Sequence, residues 1–165
     1  MNTAFSEKLI LSEIALMQDS NTIINNLVAN LSKGQLFYKP STDSWCILEV
    51  VCHLNDFEKI FQKRINQVLY SNYPLLFSRE ENAEKAARLS YVGQDLNTVL
   101  EELNLARAQS ILTIQAIDPN SLYKLAKHNI YGDLSLYDII KGFAIHDINH
   151  IKQISALLKG HSENS

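Results

Sequence analysis

The sequence has few of the residues that interrupt regular structure: five glycines and three prolines among 165 residues. β-Sandwiches and barrels need such residues at their many turns, so this scarcity favours a helical protein. No apolar run approaches the roughly 20 residues of a membrane-spanning helix. The N-terminal segment is interrupted by Glu7, Lys8 and Glu13 and lacks the unbroken apolar core of a signal peptide. We therefore expect a cytoplasmic protein with no membrane partner.

Clustered basic charge and paired cysteines are also missing. The formal net charge is −3, without a block of Lys or Arg, and binding to nucleic acid requires a basic surface that neutralises phosphates. No nucleic-acid partner is therefore expected. Cys46 and Cys52 lie six residues apart on one predicted helix, where their Cα atoms are about 9 Å apart, too far for a disulfide. Two free thiols agree with a reducing cytosol.

Apolar residues that recur at intervals of three, four or seven predict four long helices. Their approximate bounds are 4–32, 46–70, 92–117 and 135–160. A polar stretch, 79–90, is expected to be partly helical and to face solvent. The length fits one domain, 1–165, and four such helices with moderate connections predict an all-α, antiparallel four-helix bundle.

Glycine, proline and capping residues predict the helix ends. Gly34 is expected to end the first helix, and Gly160 the fourth. Ser135, with Asp138 three residues later, forms a shortened capping box at the start of the fourth helix. The inner face of the first helix is predicted to consist of Phe5, Leu9, Leu16, Ile23, Leu27 and Leu31.

The segment "FAIHDINHIKQI", residues 143–154, places two histidines one helical turn apart among isoleucines. In 100° steps, His146 and His150 fall on the same stripe as Ile139 and Phe143 and therefore face the bundle interior. An i, i+4 histidine pair can bind one transition-metal ion through both Nε2 atoms. The pair alone is equally compatible with two packed core histidines.

A third histidine favours the metal interpretation. His53 lies on the inner arc of the second helix together with Val50 and Phe57, so two helices can direct three imidazoles to one point. Three histidine ligands with an open position are the arrangement of a catalytic zinc site. His128, in a predicted loop, and His161, in the C-terminal tail, are expected to be solvated surface residues.

Other polar residues near His53 are candidates for chemistry. Asp56 could transfer protons, or it could be an ordinary surface carboxylate. Arg64 could bind an anionic substrate group, or it could form a structural ion pair. Asp147 could orient a ligand or replace the glutamate of a zinc-protease motif, although aspartate is one methylene short for that general base.

Two segments resemble the signatures of the DinB-like superfamily, which includes YfiT-type metal-dependent hydrolases. In the first signature a tryptophan precedes a helix with a His-Leu-x-Asp-x-Glu-x-x-Phe-x-x-Arg run. In the second, a Gly-x-x-Ser-Leu opening is followed by His-x-x-x-His-x-x-Gln-Ile. The matching residues are Trp45, His53, Leu54, Asp56, Glu58, Phe61 and Arg64, then Gly132, Ser135, Leu136, His146, His150, Gln153 and Ile154.

The resemblance implies an up-down-down-up four-helix bundle, often a homodimer, with a divalent zinc or nickel ion on three histidines. His53, His146 and His150 are the positions that would inherit this role. It also implies a metal-dependent hydrolase or a thiol S-transferase, in which the ion activates water or a low-molecular-weight thiol toward a small-molecule substrate. We assign Asp56 to proton transfer and Arg64 to anion binding. The alternative is a non-catalytic stress-response bundle that binds a metal or ligand.

Overall fold

The computed structural model describes the backbone of residues 3–78, 88, 90–91 and 93–163, and side chains from residue 8 onward. Most of the predicted polar stretch, 79–90, lies outside the described residues. The described elements, in chain order, are α1 (Thr3–Val28), α2 (Lys33–Phe37), α3 (Ile47–Tyr70), β1 (Leu75–Leu76), α4 (Leu96–Gln115), a 3₁₀ turn (Pro119–Tyr123), β2 (Leu125–His128), β3 (Gly132–Ser135) and α5 (Leu136–Glu163). Within these ranges, no helix is long and apolar enough to cross a bilayer.

The four long helices, α1, α3, α4 and α5, form a bundle in which each packs on two others. α5 lies between α1 and α3, and α4 lies between them on the opposite side. Ser20 bonds Asp147 and Tyr137 bonds Glu13, so α1 and α5 run parallel. Helices α3 and α4 also run parallel. Asn55 is hydrogen-bonded to Glu102, and Gln62, two turns later on α3, is hydrogen-bonded to Ser110, about two turns later on α4.

The bundle therefore has the up-down-down-up topology that the resemblance implied. The description of the bundle as antiparallel, which came from helix lengths and connections, does not hold for the parallel pairs α1–α5 and α3–α4. The connection from α1 to α3 crosses the bundle, so consecutive long helices are not always neighbours.

Helix α3 follows its sequence pattern closely. Apolar residues at intervals of three and four predict an inner arc that is buried except for Phe57, which is half-buried: Val50, Leu54, Phe57, Phe61, Ile65 and Val68. Cys46 is the N-cap residue, and its backbone N–H donates to Glu49 Oε2 at 2.8 Å. Burial alone would raise the pKa of Glu49, but this N–H and the cations of Lys39 and Arg88 outweigh it and lower that pKa to about 2.

The inner face of α1 differs from the prediction. Leu16 and Ile23 are 43% and 44% exposed, whereas the buried apolar residues are Ile10, Ile14, Met17, Ile24 and Val28. Glu13 and Ser20 lie on the same buried side and are hydrogen-bonded to α5. Because these two polar residues interrupt the apolar spacing of the buried face, the more regular apolar spacing belongs to a neighbouring stripe that includes the exposed residues Leu16 and Ile23. The side chain of Phe5 lies outside the described residues.

Neither predicted stop glycine ends its helix. α1 ends at Val28 and is followed by Asn30 in the left-handed region, with φ 59°. Gly34 instead lies inside α2, which starts with a reciprocal Ser32–Gln35 capping box. Gly160 lies inside α5, which continues to Glu163, at a position where a Cβ would come within 3.3 Å of the Tyr38 ring.

A small sheet covers one end of the bundle and was not predicted. The predicted loop that contains His128 forms an antiparallel β2–β3 hairpin, and β1 pairs in parallel with β2. The predicted capping box follows directly, as Ser135 N–H donates to Asp138 Oδ2 and Asp138 N–H donates to Ser135 Oγ. On β2, Ala126 and His128 are buried between exposed neighbours, the alternation of a half-buried strand. The hairpin thereby brings His128 to the bundle.

Candidate metal centre

Three imidazoles from two helices meet between α3 and α5. His146 Nε2 lies 3.2 Å from His53 Nε2 and 3.2 Å from His150 Nε2. The possible ligand atoms of the three residues all lie within 4.8 Å of one another. Nitrogen ligands at the zinc–histidine bond length and the tetrahedral angle are about 3.3 Å apart. The observed spacing therefore fits three ligands on one ion, and the convergence predicted from the sequence is present.

Hydrogen bonding among the three rings does not account well for this convergence. His150 Nδ1 lies 2.8 Å from Gln153 Oε1, an acceptor, so the proton of a neutral His150 is on Nδ1 and its Nε2 carries a lone pair. His146 Nε2 has one proton or one lone pair, but two imidazole nitrogens approach it. A cation that accepts several lone pairs satisfies these contacts better than one shared proton does.

Aromatic packing fixes the orientation of the imidazoles. Phe57 stacks on His146 with ring centroids 3.8 Å apart, and Trp45 meets His53 edge-on at 5.1 Å. Phe57 also stacks on Phe143, which extends the aromatic layer along α5. Rings held in this way lose little further freedom when they bind a ligand.

The electrostatics keep the central imidazole neutral. Burial, and next the neighbouring His150 and His53, lower the pKa of His146 to about 2. A metal ligand must be neutral imidazole, so no proton competes for His146 at physiological pH.

A cavity of about 380 Å³ opens beside His146, between α3, α5 and the β2–β3 hairpin. It is lined mainly by apolar and aromatic side chains, with a few polar groups, as small-molecule sites generally are. The lining residues include Phe57, Arg64, His128, Leu134, Gly142, Phe143 and His146.

The two predicted catalytic residues have different surroundings. Arg64 lines the cavity, where its Nη2 donates to the Phe77 carbonyl at 2.9 Å and its guanidinium lies 5.7 Å from the centre of the Phe57 ring. Asp56 does not line this cavity, and its Oδ2 accepts a hydrogen bond from the Tyr91 hydroxyl at 2.8 Å. Of these two residues, only Arg64 therefore faces the cavity where a ligand would bind.

The two histidines expected on the surface are placed differently. His128 is only 4% exposed and lines the cavity. His161 lies in the last turn of α5, half-buried and edge-on to Tyr38. The expectation failed for His128 because the strand was not recognised, and alternation along a strand points every second side chain inward.

A buried ionic cluster next to the site was missed. Arg107 Nε donates to Glu58 Oε2 at 2.8 Å, and its Nη1 lies 2.7 Å from Asp147 Oδ2, which also accepts from Ser20 Oγ. Each of the four long helices contributes one residue, and the three charged side chains are almost fully buried. Asp147 is thus shielded from any substrate, which excludes it as a protease-like base. The sequence could have indicated this cluster, because Glu58 and Arg107 lie on the apolar stripes of their helices, where a buried charge requires a partner.

The comparisons with known proteins agree with this architecture. The chain matches the family model of the DinB superfamily over residues 18–154. Among solved structures it is similar to YfiT from Bacillus subtilis, with a TM-score of 0.83 and 17% identity over 93% of this chain and 87% of that one. YfiT is described as a probable metal-dependent hydrolase with an unusual four-helix bundle topology. No curated protein matches the sequence. Because the family match spans most of the chain, this protein belongs to the DinB superfamily.

Proposed function

We propose that His53, His146 and His150 bind one divalent metal ion, zinc or nickel, and that the protein is a metal-dependent hydrolase acting on a small molecule. The observation that carries the proposal is the approach of two imidazole nitrogens to 3.2 Å from His146 Nε2. A divalent ion held by three histidines would supply a nucleophile near neutral pH by lowering the pKa of a coordinated water.

The residues around the cluster have defined tasks in this proposal. Gln153 holds His150 in the tautomer that binds metal, and Phe57 and Trp45 hold the other two rings in place. Arg64 binds the anionic part of the substrate in the adjoining cavity. Asp56 remains our candidate for proton transfer because it lies one helical turn from His53, although it does not line the cavity and its Oδ2 accepts a hydrogen bond from the Tyr91 hydroxyl.

Metal content tests the ligand assignment. Protein purified without an affinity histidine tag is expected to hold about one ion per chain, and His150→Ala is expected to lose it. His161→Ala is the matched control, because His161 lies on the same helix outside the cluster. Trp45 is the sole tryptophan and lies against His53, so its fluorescence should report zinc added to the chelated wild type. Equal metal content in both variants and the wild type would refute the assignment.

Turnover tests the reaction class. The metal-loaded protein should hydrolyse simple esters or amides, lose that activity on chelation and regain it when the ion is returned. Activity that requires an added low-molecular-weight thiol and an electrophile would instead identify an S-transferase. A loaded protein inactive in both assays would contradict an enzyme and favour the non-catalytic bundle. That the protein forms a homodimer stays a prediction, which light scattering can test.

A further inference from the structure

The cavity beside His146 contains a cation, Arg64, for which the described part of the chain supplies no counter-ion. Arg64 is half-buried, and no carboxylate of the described residues lies within ion-pair distance of it. Asp138, which also lines the cavity, accepts hydrogen bonds from Ser135 at the start of α5. A partly desolvated guanidinium is unfavourable unless an anion compensates it, and its planar donors match a carboxylate.

His128 adds a neutral donor to the same cavity. Its Nδ1 accepts the backbone N–H groups of Ile130 at 3.1 Å and Tyr131 at 3.3 Å. Since Nδ1 is an acceptor, the proton of the neutral ring is on Nε2. Burial, and next the charge of Arg64, lower the pKa of His128, which keeps the ring neutral. The cavity thus has a cation and an N–H donor, and among the described residues its one carboxylate, Asp138, is bonded to Ser135 instead.

Gly142 keeps part of the cavity open. It lies in the interior of α5, where glycine is less favourable than alanine, on the stripe of α5 that lines the cavity with Asp138, Ile145 and Asn149. A Cβ at this position would meet nothing within 4 Å. Gly142 is exposed, so a larger side chain would fit here without a clash and would occupy space at the cavity wall.

We propose that this cavity binds a carboxylic acid with an apolar body, its carboxylate between Arg64 and His128 Nε2–H. The body would lie against Phe57, Leu134 and Phe143, with the opposite end directed to His146. Ile139 and His146, both in the cavity wall, are seven residues apart on α5, about 10 Å, which suits a phenyl ring with a short chain. The inference rests on the proposed function only in taking this acid to be the substrate class.

Calorimetry with two isosteric probes tests the anion site. The metal-free wild type should bind 4-phenylbutanoate at least tenfold more tightly than 4-phenylbutanamide. Chelated protein is used first because a carboxylate could also coordinate a metal; the zinc-loaded protein follows. Arg64→Met should remove the preference, and Arg64→Lys should keep part of it. Lys63→Met is the matched control, since it removes one charge from an exposed neighbour on α3 and should bind like the wild type.

Two further variants test the His128 N–H donor and the cavity volume beside Gly142 separately. His128→Asn keeps an acceptor near the Nδ1 position but lacks Nε2–H, so it should bind the acid about tenfold more weakly, while His161→Asn should not change binding. Gly142→Leu should block both probes and still unfold cooperatively, because a side chain there has room. Equal affinity for the two probes, no binding of either, or an Arg64→Met variant that binds like the wild type would overturn the proposal.

The outcomes distinguish this proposal from the proposed function. A wild type that prefers the acid but retains no metal and hydrolyses no ester would refute the hydrolase and leave the acid site standing. A metal-loaded wild type that hydrolyses esters but binds both probes equally would refute the acid site alone.

Discussion

Replacing Gln153 with leucine should weaken zinc binding by about 10- to 100-fold, without removing a metal ligand. Gln153 Oε1 accepts the Nδ1–H of His150 at 2.8 Å, which leaves the Nε2 lone pair directed at His146. Leucine has a similar size and no acceptor. In the variant, His150 can carry its proton on Nε2 or rotate its ring, and either change must be reversed before metal binds.

The expected loss of zinc affinity follows from the loss of the hydrogen bond between Gln153 and His150. A neutral hydrogen bond contributes about 0.5–1.5 kcal/mol, and fixing the tautomer and the ring adds to it. Tenfold to 100-fold in affinity corresponds to about 1.4–2.7 kcal/mol. Gln153→Glu supplies a stronger, charged acceptor at the same place, so its zinc affinity should equal or exceed that of the wild type.

Competition with a chromophoric chelator measures these affinities. Gln109→Leu is the control, because Gln109 is exposed on α4 and the same substitution there should not change zinc affinity. Urea unfolding of the metal-free proteins checks that Gln153→Leu has not destabilised the fold. A Gln153→Leu variant within twofold of the wild type would show that Gln153 does not orient a ligand.

Three further predictions concern stability and reactivity. Arg107→Met should lower the free energy of unfolding by about 3–5 kcal/mol in urea, because it leaves two buried carboxylates uncompensated, and adding Glu58→Gln should restore part of the loss. The pKa of Glu49 is lowered from 4.5 to about 2, so its contribution is present above pH 4.5 and is lost as pH falls toward 2; between these values the wild type should lose about 1–2 kcal/mol more than Glu49→Gln. Burial raises the pKa of Cys46, and that of Cys52 to about 12, so mass spectrometry should find both unmodified by a thiol reagent at pH 8 until urea is added.

The helices were predictable where burial and apolar periodicity coincide. α3 buries its apolar arc as expected because His53 and Glu58 sit among enough apolar neighbours to keep the pattern visible. On α1 the pattern indicated the wrong stripe, since Glu13 and Ser20 face inward toward α5. Periodicity measures hydrophobicity alone, so it misses a buried polar residue whose partner lies on another helix.

For the histidine cluster, too, the sequence predicted some features and not others. One helical turn between His146 and His150, and the position of His53 on an apolar arc, were enough to predict that all three face inward. The distance between the two helices was not predictable, because it depends on how Phe57 and Phe143 stack between them. Nor was the tautomer of His150, which depends on the rotamer of Gln153.

The sequence by itself determined the helical class, the course of α3 and α5 and the side of each helix that carries the histidines, because helical geometry relates residues three and four apart directly. Only the tertiary structure decided the burial of Arg107 between two carboxylates and the entry of His128 into the cavity wall. Those features depend on contacts between residues distant along the chain. Such contacts are set by packing and charge compensation in three dimensions, for which no local spacing provides a signal.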